Sequence, residues 1–199
     1  MGTIVVTTNT TLDGVVQDPD GKEGSSAGGW FDRSGGADLP AWTAHETDET
    51  LRAAALLLGR RSDAWFAERW NARTGRWADK LNSMPKYVVS STLDQAAWVN
   101  GTVIALDEVA KLKQDVDGEI LVYASYQLVR TLLHHDLVDE LRLVVFPVAV
   151  GAGERLFADT TPVRLVSART LGENLVFLTY QPVRTRRSGA DTHFAIDER

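Results

Sequence analysis

A glycine, two arginines and a hydroxyl follow one apolar run in a pattern suited to phosphate. Residues 56–58 are leucines and predict a buried strand, and Gly59, Arg60, Arg61 and Ser62 follow before a helical pattern begins. The first N–H groups of a helix are unpaired, and guanidinium groups beside them add full positive charges. The turn therefore predicts a phosphate site. It also fits a serine-capped helix whose arginines are only solvated, and the sequence leaves both interpretations open.

Two further strand ends carry small or hydroxyl residues at the equivalent position. These residues are Ser90, Ser91 and Thr92 after the run at 87–89, and Ala124, Ser125, Tyr126 and Gln127 after the run at 119–123. Ligands of open α/β sheets bind outside the carboxyl ends of the strands, so the three turns should form one rim. The third turn lacks the G-x-G-x-x-G fingerprint, although Ala124 and Ser125 are small enough for a pyrophosphate to approach the next helix.

Alternating strand and helix patterns position these turns. Short β-branched or leucine-rich runs predict roughly eight strands, at residues 4–8, 54–58, 87–90, 102–105, 119–123, 141–148, 165–168 and 175–180. Helical patterns lie between them, at residues 42–53, 62–70, 77–82, 108–114 and 126–135. Strands that alternate with helices predict right-handed crossovers and a mainly parallel sheet covered on both faces. The final strands flank Gly172 and Glu173 as a hairpin, which adds an antiparallel edge. The predicted fold is α/β, with three layers and a mixed sheet.

One interval interrupts the alternation. Residues 14–36 hold seven of the 16 glycines, and within them residues 24–36 show no helical or strand period. Long loops inside compact domains are usually lids or binding loops, and less often plain disorder. Trp30 and Phe31 favour a lid, because a flexible linker has no use for two adjacent aromatic side chains.

Length and composition bound the class of protein. The 199 residues fit a single domain at 1–183, followed by a loosely held tail at 184–199 in which charges alternate without a period. The 44% hydrophobic and 24% charged residues are typical of a globular chain. The absence of cysteine excludes a disulfide scaffold, a cysteine-ligated metal and a thiol nucleophile.

Charge and apolar runs exclude further classes. A net charge of −6 argues against a general nucleic-acid binder. The first residues lack the features of a secretory signal, and no apolar run approaches the ~18 residues of a membrane span, so we expect a cytoplasmic protein. No metal site is predicted, because the adjacent His134 and His135 would not face one another on a helix.

Six motifs recur in this order in one group of proteins. They are TLDGV at 11–15, LGRRS at 58–62, PKYVVSSTL at 85–93, LVRTLL at 128–133, DELRL at 139–143 and FPVAVGAG at 146–153. In these motifs the chain resembles the bacterial dihydrofolate-reductase-like proteins related to the reductase domain of the bifunctional riboflavin-biosynthesis protein. The resemblance covers residues 3–181 and implies a dihydrofolate-reductase-like fold that uses NADPH.

The resemblance also assigns residues to the cofactor. In that family a Gly-Arg-x-Ser/Thr turn and a Ser-x-Thr strand end hold the pyrophosphate and the adenosine 2′-phosphate. The corresponding residues are Gly59, Arg60, Arg61, Ser62, Ser90, Ser91 and Thr92, and the turn under the cofactor corresponds to Ala124, Ser125, Tyr126 and Gln127. Relatives usually carry Gly-Ser-Gly in that turn. Here Ala124 and Tyr126 add a methyl group and a phenol ring, which either narrow the pyrophosphate seat or stack on the cofactor.

Hydride transfer also requires a proton donor. Asp13 and Gly14 resemble the start of the substrate and nicotinamide pocket, which makes Asp13 one candidate acid, although an Asp-Gly pair equally fits a turn. Dihydrofolate reductases supply a carboxylate from the first helix, where this chain carries Glu46 and Asp48. These acids also fit a solvated helix face. Trp65 is expected to line the substrate side or to pack in the core.

The resemblance thus implies an NADPH-dependent reductase of a small pyrimidine- or pterin-like heterocycle, similar to the 5-amino-6-(5-phosphoribosylamino)uracil reductase of riboflavin biosynthesis. Two alternatives stay open. One is a dihydrofolate or dihydropteridine reductase. The other is a nucleotide-binding module without catalysis, which the unplaced acid and the substitutions at 124 and 126 favour. The family often forms homodimers through its C-terminal strands, so we expect a homodimer.

Overall fold

The computed structural model describes residues 1–184, and its strands form one eight-stranded sheet. The strands are β1 Thr3–Thr11, β2 Ala55–Gly59, β3 Lys86–Val89, β4 Gly101–Ile104, β5 Glu119–Tyr123, β6 Glu140–Phe146, β7 Val163–Leu171 and β8 Leu175–Pro182. Their order across the sheet is β4-β3-β2-β5-β1-β6-β8-β7. β1 to β6 pair in parallel, and β8 pairs antiparallel with β6 and β7. From residue 185 onward, the predicted tail lies outside the described residues.

Helices cover both faces of this sheet. They are α1 Trp30–Gly35, α2 Leu39–Arg52, α3 Arg60–Trp70, α4 Arg76–Ser83, α5 Val109–Asp115 and α6 Tyr126–His134. Successive strand residues point to opposite faces, so Leu56 and Leu58 pack toward the α3 and α4 side whereas Leu57 packs with Leu132 of α6. A strand buried on both faces needs such an unbroken apolar run. No helix within residues 1–184 is long and apolar enough to cross a membrane.

The predicted glycine-rich loop contains a short helix that the sequence analysis missed. α1 lies inside it, and Trp30 is only 1% exposed. Its ring packs edge-on against Phe146 at 5.4 Å, and its Nε1 donates to the carbonyl of Gln17 at 3.1 Å. Trp30 is therefore a core residue that anchors the segment, which corrects the expectation that it belongs to a lid.

The C-terminal hairpin is present as predicted and is tied to the helical layer by one acid. The Asp38 carboxylate, just before α2, accepts hydrogen bonds from the N–H groups of Glu173 and Asn174 at 2.8 and 2.9 Å. Gly172 has φ +66°, and a Cβ atom there would clash with the Asp38 carboxyl. The turn accordingly requires glycine at this position. It leaves β7 as the outer edge of the sheet.

Candidate functional site

A cleft of about 1140 Å³ opens at the carboxyl ends of the parallel strands. Asn9 of β1, Gly59 of β2, Val89 of β3 and Tyr123 of β5 all contribute to its lining. The order of strands explains its place. Connections from β2 run outward to β4, while those from β5 run the other way to β6, and such a reversal leaves a crevice between the strands.

All of the residues predicted to bind the cofactor line this main cleft. They are Gly59, Arg60, Arg61, Ser62, Ser90, Ser91, Thr92, Ala124, Ser125, Tyr126 and Gln127. They come from three turns that follow β2, β3 and β5, as the rim prediction required. The structure therefore brings together one complete set of sequence-predicted residues.

Two serines lock the first and third turns to one another. The Oγ of Ser62 accepts a hydrogen bond from the N–H of Ser125 at 3.1 Å, and the Oγ of Ser125 accepts one from the N–H of Gly59 at 3.0 Å. Neither hydroxyl caps a helix, and neither α3 nor α6 has a side-chain cap. This geometry removes the serine-cap interpretation. The N-termini of both helices therefore lie at the cleft without a side-chain cap, although α3 carries Asp63 in its first turn and α6 has no acid there.

The third turn keeps the backbone conformation of glycine without having glycine. Ala124 has φ +48° and Ser125 has φ +52°, both in the left-handed region. A side chain in that region costs of order 1 kcal/mol, which explains why glycine suits this turn. The Tyr126 ring contacts the Arg130 guanidinium at 5.1 Å and also lines the cleft. Alanine's methyl group and this phenol therefore shape the floor of the site.

Acidic groups from the glycine-rich segment pair with two arginines of the cleft. Arg61 lies 3.4 Å from Glu23, and Arg69 lies 3.6 Å from Asp20. Arg69 also stacks over the Trp65 ring at 4.1 Å, and Trp65 lines the main cleft rather than packing in the core. Acidic side chains of the protein therefore compete with an anionic ligand for these two arginines.

The other end of the cleft is an aromatic chamber, formed by Phe31, Trp42, Phe66, Trp70, Trp77 and Tyr123. Phe31 contacts Trp42 at 4.8 Å, and Trp42 contacts Trp77 at 6.0 Å between ring centroids. The Nε1 of Trp77 donates to the Thr50 hydroxyl at 3.0 Å, and the Tyr123 hydroxyl lies 2.7 Å from the same oxygen. These bonds fix the rings edge to face, so the chamber is preorganised for a planar ring.

One acid lies in the chamber wall. Glu46 of α2 is 6% exposed and lines the main cleft. None of the residues that the structure describes donates a hydrogen bond to its carboxyl. Burial, and then the neighbouring charge of Glu49, raises the pKa of Glu46 well above its usual range. Burial therefore favours the protonated form of Glu46 beside the cleft.

The other predicted acids lie elsewhere. The Asp13 carboxylate accepts hydrogen bonds from the Thr11 hydroxyl at 2.6 Å and from the N–H of Gly151 at 2.8 Å. These bonds lower the pKa of Asp13 to about 2, so it is ionised and has no proton to donate at neutral pH. Asp13 and Gly14 form a turn outside the main cleft. Asp48 is exposed on α2 and also lies outside the main cleft.

Comparison with known proteins decides the family. The model of the RibD C-terminal domain matches residues 2–177. The chain belongs to the RibD C-terminal domain family. Among curated proteins, the uncharacterized protein YyaP of Bacillus subtilis (strain 168) is 33% identical over 146 residues, which are 67% of this chain and 77% of that protein.

Solved structures of the same kind share the fold. A provisionally assigned riboflavin biosynthesis protein from Shewanella sp. PV-4 matches with a TM-score of 0.67 at 22% identity, covering 92% of this chain and 99% of that one. RibD of Acinetobacter baumannii matches with a TM-score of 0.61 at 16% identity, and 59% of its chain is covered. A pyrimidine reductase-like protein from Corynebacterium diphtheriae matches with a TM-score of 0.56 at 15% identity over 92% of each chain. The dihydrofolate-reductase-like fold predicted from the sequence is confirmed.

A second cleft of about 330 Å³ in this RibD C-terminal domain lies between α2 and strands β6, β7 and β8. Arg142 dominates it, binding Glu49 at 2.9 Å, Glu119 at 2.6 Å and Glu140 at 2.5 Å. Burial and then the charge of Arg169 lower the pKa of His45 to about 4, so this histidine is neutral. Sequence reasoning did not find this cleft, because its charged residues come from three separate elements, α2, β6 and β7.

Proposed function

We propose that this chain is an NADPH-dependent reductase that adds a hydride and a proton to a small planar heterocycle of the pyrimidine or pterin type. The observation that supports it most directly is the build of the main cleft. One end carries two helix N-termini without side-chain caps and with arginines beside them, and the other end is an aromatic chamber with a buried acid whose pKa is raised. A dinucleotide and a ring substrate need these two environments side by side.

The residues at the first end fit an NADP-type cofactor. Helix N-termini attract phosphate, and both α3 and α6 lack a side-chain cap. Arg60 and Arg61 supply forked donors for the additional 2′-phosphate, and Ser91 and Thr92 lie exposed on the adjacent strand end. NADPH, when bound, would supply the hydride.

The chamber residues would hold the substrate and its proton. Trp42 and Trp77 offer flat apolar surface for a ring, and their indole nitrogens are already bonded within the protein. A ring bound against these indoles would displace water, which would strengthen the hydrogen bond between the substrate and Glu46. Glu46 would donate its proton to the ring nitrogen that gains charge.

The two alternative functions differ in the substrate and in the chemistry that the main cleft would have to support. A dihydrofolate or dihydropteridine reductase would use the same acid and the same chamber for a larger ring. A nucleotide-binding module without catalysis drew its support from an acid that could not be placed and from the substitutions at 124 and 126. The buried Glu46 weakens the first of these arguments and favours an enzyme.

Titration with NADPH tests the proposal. Trp65, Trp70 and Trp77 line the cleft, so we expect saturable quenching of tryptophan fluorescence at micromolar NADPH. We then expect loss of NADPH absorbance with at least one member of a panel of pyrimidines and pterins. Absence of binding would contradict the proposal, while binding without turnover of any panel member would favour the inactive module.

We also propose that the protein forms homodimers through β7. β7 is an edge strand, and Leu165 and Val166 on it are 52% and 47% exposed. An exposed edge with apolar side chains invites pairing with a second copy. The change Leu165→Glu should shift a dimer to a monomer in light scattering coupled to size exclusion. Val99→Glu, at a 44% exposed valine in the turn before β4, the strand at the opposite edge of the sheet, should not. A wild-type monomer at high concentration would contradict this proposal.

A further inference from the structure

Two buried acids one helical turn apart belong to different clefts. Glu46 lines the main cleft, and Glu49 lines the second cleft. Side chains three positions apart on a helix share a face, with Cβ atoms roughly 5–6 Å apart. The buried side of α2 therefore carries a pair of neighbouring carboxyl groups from one cleft toward the other.

Two opposing effects act on the pKa of Glu49, the second of these acids. Glu49 is fully buried, and this burial raises its pKa, while the Arg142 guanidinium opposes the rise. The titratable and charged groups around the pair are His45, Asp48 and Arg52 from α2, Glu119 and Tyr123 from β5, Glu140 and Arg142 from β6, and Arg169 from β7. Arg142 divides its charge among three carboxylates, so it only partly compensates Glu49. Burial and the Arg142 guanidinium thus act on the pKa of Glu49 in opposite directions.

Hydrogen bonding around Glu49 is incomplete. Arg142 Nη1 donates to Glu49 Oε1 at 2.9 Å, but the second oxygen of Glu49, Oε2, is buried without a partner. The Oγ1 of Thr7, a residue that lines the main cleft, makes no hydrogen bond of ordinary geometry either, but it lies near enough to the Glu49 carboxyl to oppose the rise in its pKa. Thr7 therefore brings a hydroxyl group from the lining of the main cleft to the Glu49 carboxyl.

We propose that Glu49 returns protons to Glu46 from the second cleft after each turnover. The inference rests on the proposed reductase function. In one turnover the substrate gains a hydride at carbon and the Glu46 proton at the adjacent nitrogen, which leaves Glu46 as a carboxylate. Glu49 then gives its proton to Glu46 and takes one from water in the second cleft, so neither acid is consumed. The main cleft need not open to water for this step.

The variant Glu49→Gln separates the first turnover from later ones. The first uses the proton already on Glu46, so rapid mixing should show one equivalent of NADPH oxidised at the wild-type rate. Later turnovers should be slower by about 10- to 100-fold, since the return path is lost. The matched control is Asp79→Asn, at an exposed acid of α4 outside both clefts, which should leave the first and later turnovers alike.

An infrared titration of the full-length protein gives a readout without substrate. The carboxyl band that Glu46→Gln removes should titrate at lower pH in Glu49→Gln, because the neighbouring charge that favours protonated Glu46 is gone. The kinetic runs are made at a pH where this band is present. A first turnover slowed as much as the later ones, or an unmoved infrared midpoint, would overturn the return path. A wild-type protein that never oxidises NADPH would instead overturn the reductase function itself, and the return path with it.

Discussion

Replacing Arg60 and Arg61 together by alanine should weaken NADPH binding by about 100-fold or more, and NADH binding far less. Hydrogen bonds to charged groups contribute about 1.5–3 kcal/mol each, so two lost contacts to one phosphate reach this size. NADH lacks the 2′-phosphate, and its pyrophosphate would still meet the N-termini of α3 and α6. The dissociation constants of both cofactors, measured by tryptophan fluorescence, check the result.

Two further variants sharpen this comparison. Arg76→Ala removes an exposed arginine at the start of α4, outside the cleft lining, and should leave both dissociation constants unchanged. Glu23→Gln removes the acid paired with Arg61 and should tighten NADPH binding modestly, because exposed ion pairs are worth roughly 1 kcal/mol or less. Equal weakening of NADPH and NADH in the double variant would contradict the 2′-phosphate role.

Much of this architecture follows from local pattern. Apolar runs such as residues 56–58 are long enough to be buried on both faces, and helical periods between them force parallel crossovers. The three rim turns were predictable for the same reason, because the carboxyl ends of parallel strands meet at one edge. α3 begins at Arg60, two residues earlier than predicted. Gly59 is the residue that precedes the helix, and Ser62 lies within its first turn.

Local sequence patterns could not predict the aromatic chamber, because contacts between residues far apart in the sequence form it. Trp77 bonds Thr50 from 27 residues away, and Tyr123 contacts Thr50 from 73 residues away. α1 was missed because its six residues span less than two turns and are flanked by glycine. No short-range signal distinguishes such a helix from a loop.

The choice among the acids depended on packing for the same reason. Asp13 precedes a glycine, which indicates a turn. Its carboxylate accepts hydrogen bonds from Thr11 and Gly151, which hold that turn in place. Glu46 and Asp48 lie two residues apart on one helix, and only the packing of α2 decides which is buried. That packing buries Glu46 and exposes Asp48.

Replacing Glu46 by glutamine should lower turnover by about 10²- to 10⁴-fold, the usual contribution of a general acid, and leave NADPH affinity unchanged. The reaction needs the protonated form of Glu46, and burial raises its pKa. Wild-type activity should therefore persist above the ordinary pKa of glutamate and fall as the pH rises through that raised pKa. The variant should lack this alkaline limb. Steady-state rates across pH, together with cofactor titration, measure both expectations.

Stability distinguishes this loss from a folding defect. An acid whose pKa is raised in the folded protein ionises first in the unfolded chain, so above its ordinary pKa the folded state loses stability as pH rises. Glutamine removes that penalty, and Glu46→Gln should melt no lower than the wild type at neutral pH. Asp13→Asn provides the contrast, because its lowered pKa stabilises the fold above the ordinary pKa of aspartate and this contribution is lost as pH falls toward about 2. That variant should lose stability at neutral pH while its turnover persists. If Asp13→Asn instead abolished turnover and Glu46→Gln did not, Asp13 would be the acid despite its place outside the cleft.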